Sequence, residues 1–154
     1  MFKKEYLSML DAISLPFVTD TPYFGTLFYR NKAVRVHKDS GMELVDYVDL
    51  KGYVWADHII QREFTADPVK DGEWNHFIEL ISGQNMERSK AHRTTLGYLM
   101  HGYKSKTNNY AVIYNDGVIN DNPNGGSGKG IVMQALSKVK RVSVLDGKAF
   151  SFDK

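Results

Sequence analysis

From Lys3 to Leu15 the apolar positions Tyr6, Leu7, Leu10, Ile13 and Leu15 follow a roughly helical period that Pro16 ends, which predicts an N-terminal helix. From Phe24 to Asp49 the pattern turns to β-branched and aromatic residues. Val34 and Val36 alternate with Arg35 and His37, and Arg30-Asn31-Lys32 and Lys38-Asp39-Ser40-Gly41 are the turn candidates. Two or three antiparallel strands are expected there, at least one with a solvated face. Val54, Trp55, Ile59 and Ile60 can share one side, so a short helix is expected to begin near Tyr53 or Trp55, before the break at Asp67-Pro68. Trp74, Phe77, Ile78 and Ile81 recur at spacings of three and four with Gly83 as terminator, a helix over 73–83. A further helix is expected from about Met86 to Tyr103, burying Ala91, Thr95, Leu96, Leu99 and Met100 and exposing Arg88, Lys90, His92 and Arg93.

The polar stretch from Lys104 to Asn109 then suits a linker, and the pattern changes again. Tyr110 to Asp116 is an apolar run of strand length, a glycine-rich loop follows, Ile131 to Lys138 has helical character, and Val142 to Leu145 suits a second strand. Strand, glycine loop, helix and strand make the start of a parallel α/β unit. The expected fold is therefore an α+β N-terminal region of helices plus a small antiparallel sheet over 1–105. The start of an α/β P-loop NTPase core, incomplete, follows over 106–154.

Composition narrows the class. The chain has 154 residues, 42% of them hydrophobic and 25% charged, which suits one ordinary or two small globular domains. Twenty basic against 18 acidic residues leave a net charge of +2, too small to indicate nucleic-acid binding, so any basic patch must be local. The absence of cysteine excludes disulfides and thiolate metal sites and is compatible with a reducing cytoplasm. The N-terminus lacks the apolar stretch of a signal peptide and no window has the length of a membrane span, so a soluble intracellular protein is expected.

The candidate chemistry lies in the loop Asn122-Pro-Asn-Gly-Gly-Ser-Gly-Lys-Gly130. Phosphate binding needs convergent backbone N–H groups, hence glycines, and a helix N-terminus whose macrodipole favours an anion. Asn124, Gly125, Gly126, Ser127, Gly128, Lys129, Gly130 and Ile131 are the candidate nucleotide-binding residues, with the Lys129 ammonium reaching the β and γ phosphates. Two positions depart from the GxxxxGK[ST] pattern: Pro123 stands for the first glycine, and Gly130 for the Ser or Thr that binds magnesium. The proline restricts only the entrance to the loop. The missing hydroxyl removes a metal ligand that water can replace.

Hydrolysis needs further parts: an acid at a strand end to hold magnesium, and commonly an arginine. Asp146 ends an apolar run but reads better as an Asp-Gly turn. One helix and two strands fall short of the about five strands of an ordinary sheet, so the chain is expected to be a piece of a longer protein.

Leu96 to Lys154 resembles the superfamily 3 helicase-like domain of phage and plasmid primase-helicase proteins, and more narrowly the helicase domain of the deep-sea vent phage primase-polymerase type. The resemblance is carried by Leu96-Gly97-Tyr98-Leu99, by the Asn122-Pro123-Asn124-Gly125-Gly126 approach to Gly128-Lys129, and by Asp146-Gly147-Lys148 with Phe150 and Phe152. Upstream, FYRNKAVRVH and VWADHIIQREF look like the region preceding the ATPase core there. It implies an ATP- and Mg2+-dependent ring helicase acting on DNA in replication of a mobile element in a bacterial cytoplasm, with Lys129 as the catalytic lysine. It also implies that the acidic magnesium site, the sensor and the arginine finger lie beyond Lys154, and that glycine is tolerated after the lysine.

Other readings stay open. Arg88, Lys90, His92, Arg93, Lys104 and Lys106 form a basic run that either contacts DNA phosphates or is a solvated helix face. The five histidines show no metalloprotease spacing. Trp55 and Trp74 are expected to be core anchors rather than stacking platforms. The rival function is a non-catalytic DNA-binding or oligomerisation module with a structural glycine loop; a small nucleotide kinase is disfavoured because little chain follows the loop.

Overall fold

A computed structural model of the chain describes residues 13–66, 72–105, 107, 109–114 and 128–147. It is an α+β fold, a four-stranded mixed sheet followed by three helices. Strands β1 (Phe24–Tyr29), β2 (Ala33–His37) and β3 (Gly41–Val45) form an antiparallel meander with the turns where Asn31 and Asp39-Ser40 predict them. Strand β4 (Ile59–Ile60) pairs parallel to β1, giving the order β3-β2-β1-β4.

The sheet buries apolar residues on both faces. Phe28, Ala33 and Val45 stand in register on one face under Val18, Tyr47, Leu50, Val54 and Ile59. On the other face Tyr29, Val34 and Ile60 pack with Leu27, Phe64 and Val139. Covering residues thus come from both sides in sequence, and the strict alternation around Val34 breaks down: Val36 is half exposed while Arg35 and His37 are half buried.

The short helix expected near Tyr53 or Trp55 does not form. Single turns of 3-10 helix at Tyr47–Asp49 and Ala56–His58 stand in this region, and Ile59 and Ile60 point to opposite faces of the sheet. Consecutive apolar residues that serve two cores need a strand's period of two, and pairing with β1 supplies it. The expected N-terminal helix lies outside the described residues except for Ile13–Leu15, which are not helical.

Helices α1 (Glu73–Ile81) and α2 (Met86–Met100) agree with their patterns, α2 ending three residues early where His101 turns extended. Gly83 terminates α1 at φ 63°, and the following Gln84 also has positive φ, its N–H donating to the Glu79 carbonyl. The Asn85 side chain caps α2 by accepting the Arg88 N–H at 3.0 Å. Helix α3 (Lys129–Ser137) follows the glycine loop. The three helices meet in one cluster in which Ile78, Leu96, Val132 and Leu136 are buried with Phe77, Ile81, Leu99 and Met100 around them. Ala91, expected on the buried side of α2, is exposed.

Neither strand expected around the loop pairs with another among the described residues. Ile113 and Val144 are 87% and 89% exposed, so each segment lacks the neighbours that would bury a strand of a parallel sheet. The Tyr110–Tyr114 segment is held by aromatic side chains from α2: the Tyr98 hydroxyl accepts the Tyr110 N–H at 2.7 Å and donates to its carbonyl at 3.2 Å, and His92 Nδ1 lies 3.2 Å from the Tyr114 hydroxyl. The Tyr98 hydroxyl thus takes both backbone groups of Tyr110.

Candidate nucleotide-phosphate site

Of the eight candidate residues, Asn124, Gly125, Gly126 and Ser127 lie outside the described residues. Gly128, Lys129, Gly130 and Ile131 form the cap and first turn of α3. Gly128 is left-handed, with φ 84° and ψ −3°. A Cβ there would sit 2.9 Å from Ile81 Cγ2 and 3.1 Å from Phe77 Cζ. Glycine is therefore required twice over, by the backbone angle and by the contact of the turn with α1.

As in any α-helix, the first-turn N–H groups have no intrahelical acceptor, and the macrodipole favours an anion beside them. Helix α3 has no acidic residue in this turn and begins instead with half-buried Lys129. A cation at a helix N-terminus opposes the macrodipole, and an anion bound there turns this opposition into attraction. Ile131 is 53% exposed. A Cβ at Gly130 would meet nothing within 4 Å, so the missing Ser or Thr hydroxyl is not excluded by space.

Buried Val132 and Leu136 anchor the other side of α3 in the three-helix cluster, which fixes the direction of its N-terminus. First-turn N–H groups and a lysine at a helix start are groups of the kind that bind an anion. Magnesium is a different case: the described residues contain no group of three His, Cys, Asp or Glu able to hold a metal. Asp146 is exposed and precedes a turn at Gly147, in keeping with the Asp-Gly reading.

Part of the basic run on and after α2 is engaged within the chain. Arg93 lies 3.4 Å from Glu79, and the Lys104 ammonium stands over the Tyr98 ring at 4.1 Å while donating to the Tyr98 and His101 carbonyls. Arg88 and Lys90 are exposed, and Lys106 lies outside the described residues. The tryptophans are not core anchors. Trp55 is 57% exposed and stacked on Phe17 at 4.6 Å, while Trp74 is 39% exposed beside Phe77.

Sequence reasoning missed two features. Asp20 links the sheet to the helices, its Oδ1 accepting the Thr26 N–H at 2.8 Å and its Oδ2 the Gly102 N–H at 2.6 Å. A separation of 82 residues leaves no local signal for this link. The second is a cleft of about 490 Å³ at the opposite end of α3, lined by the basic residues that follow the helix. No helix among the described residues is long and apolar enough to cross a membrane. Compared with protein families, curated proteins and solved structures, the chain has no match in any of the three.

Proposed function

We propose that the chain is the ATP-binding part of a DNA helicase or primase-helicase that acts, as a homo-oligomeric ring in a bacterial cytoplasm, in replication of a phage or other mobile element. The observation that carries this reading is the start of α3. Left-handed Gly128 delivers Lys129 into the first turn of a helix whose direction the Ile78–Val132–Leu136 core holds.

In this reading the N–H groups of Lys129, Gly130 and Ile131 hold phosphate oxygens, and the Lys129 ammonium neutralises their charge and draws the terminal phosphate into line. Magnesium, which the described residues do not cage, would come with the nucleotide and would offset phosphate charge there. The resemblance to the primase-helicase family supports the DNA-acting role, and the P-loop NTPase core belongs to the same proposal.

One observation favours the rival reading, a non-catalytic module. Contact with Ile81 and Phe77 already accounts for glycine at 128 without any phosphate. The two readings part at Lys129. Titration of the chain with a fluorescent ATP analogue is expected to give saturable binding that Lys129→Ala weakens at least about tenfold, the loss of one charge-assisted contact. Equal affinity in the two proteins would sink the nucleotide site and leave the structural turn.

A further inference from the structure

Arg35 stands on β2 directly opposite Thr26 of β1, on the sheet face whose core lies under Val18 and Leu50. Two contacts hold its guanidinium. It lies over the Phe24 ring at 4.7 Å, and Nη1 is 3.5 Å from Glu43 Oε2. Neither contact uses Nε, which is closed off from solvent and has no hydrogen-bond partner among the described residues. Thr26 does not supply one, since its buried Oγ1 is unpartnered as well. Buried polar groups in folded proteins are paired as a rule, so an unpartnered donor on a charged group calls for an acceptor from outside the sheet.

Arg35 also lines a cavity of about 330 Å³, at the small end of the range for ligand pockets. Phe17, Val18 and Leu50 give it apolar walls, and Arg35, Lys51 and Asp49 give it charge. Lys51 and Asp49 are exposed and make no ion pair among the described residues. Two cations against one carboxylate favour an anion. With Glu43 at Nη1, the guanidinium keeps its Nε–Nη2 edge, two parallel N–H groups that match the two oxygens of a carboxylate. Asp49 limits the charge of the ligand, because it repels a dianion more than a monoanion and so disfavours phosphate esters.

We propose that this cavity binds a small monocarboxylate with an apolar body. Arg35 and Lys51 take the carboxylate, a slight turn of the guanidinium bringing Nε to one oxygen, and Phe17, Val18 and Leu50 take the body. Every residue lining the cavity lies between Phe17 and Lys51. The site therefore shares no residue with the glycine loop or α3, and it stands whether or not the loop binds a nucleotide.

Phe17 connects the cavity to a reporter, because the Trp55 ring stacks on it at 4.6 Å with planes 9° apart. The chain has two tryptophans, so Trp74→Phe leaves Trp55 as the only indole. In that background, titration with phenylpropionate is expected to change the Trp55 fluorescence saturably. Arg35→Gln is expected to weaken binding about tenfold or more, and Lys51→Ala about threefold. Phenylpropionamide keeps the body without the charge, and phenyl phosphate carries a second charge; each is expected to bind about tenfold more weakly than the carboxylate. Asp49→Asn is expected to narrow the gap between phenyl phosphate and phenylpropionate. Lys129→Ala is expected to leave all of this intact, which separates failure here from failure of the nucleotide loop. Absence of a saturable change would overturn the site. So would unchanged affinity in Lys51→Ala, an exposed position that decides the matter even if Arg35→Gln fails to fold. Equal binding of the amide would overturn the role of the two cations, and tighter binding of phenyl phosphate would overturn the selection for a monocarboxylate.

Discussion

The sheet and the helical cluster are built on different plans. Strands β1 to β3 are joined by turns of a few residues, each pairs with the next in sequence, and Phe28, Ala33 and Val45 meet across adjacent strands. The helical cluster brings α1 and α2 together with α3, which begins 29 residues after α2 ends. It is held by Ile78, Leu96, Val132 and Leu136. Local pairing is expected to make the sheet robust to the loss of any one contact. The helical cluster, which aims the candidate phosphate site, depends on a few long-range contacts.

The largest expected effect tests that dependence. Ile78 is 1% exposed at the centre of the cluster, so Ile78→Ala is expected to cost about 2–5 kcal/mol, from lost burial plus the cavity left behind. If the two regions melt as separate units, amide exchange in α1 to α3 will accelerate while β1 and β2 stay protected. Equal acceleration throughout would show that the Asp20 link makes them one cooperative unit, and the comparison would fail.

A smaller effect is expected at the joint between the cluster and the site. Gly128→Ala places a Cβ against Ile81 and Phe77 in a left-handed residue, where the angle alone costs about 1–2 kcal/mol. Gly83→Ala, left-handed but with nothing within 4 Å, is the matched control that isolates the angle. Thermal melts are expected to show Gly128→Ala as the more destabilised of the two. Equal shifts would mean that α3 moves away from α1 without loss and that the contact does not position the loop.

What was legible in the sequence follows the same division. The alternation in β2, the turns on either side of it and the spacing of Trp74, Phe77, Ile78 and Ile81 are local signals, and the elements formed where they pointed. Ile59 and Ile60 misled because two adjacent apolar residues fit a helix or a strand equally well, and only pairing with β1 decides. Tyr110 to Tyr114 has the composition of a buried strand but finds no strand beside it among the described residues, and Tyr98 holds it instead. At the site, a helix after the glycine loop was legible, expected over Ile131 to Lys138 and found two residues earlier, from Lys129. The packing of Gly128 on Phe77 and Ile81 was not, because those residues lie about fifty positions away and have no pattern in common with the loop.

The smallest effect lies on the sheet and tests its robustness by charge rather than by packing. Glu43 on β3 faces Arg35 and His37 on β2, with Oε2 at 2.9 Å from His37 Nε2 and 3.5 Å from Arg35 Nη1. The hydrogen bond with His37 first, helped by the Arg35 and His37 charges, holds the Glu43 carboxyl below its ordinary value of 4.5 against an opposing desolvation that outweighs the Arg35 charge alone. A carboxyl lowered on folding contributes stability that is present above its unfolded value and is lost as pH falls through the lower folded value. The difference in melting temperature between wild type and Glu43→Gln is therefore expected to stay constant from about pH 7 down to about pH 4.5 and to shrink below that. Because the carboxylate is exposed, the difference is expected to be small and to diminish with added salt. A difference that persists at about pH 3 would show that Glu43 acts through packing instead, and the sheet would then share the cluster's reliance on single contacts.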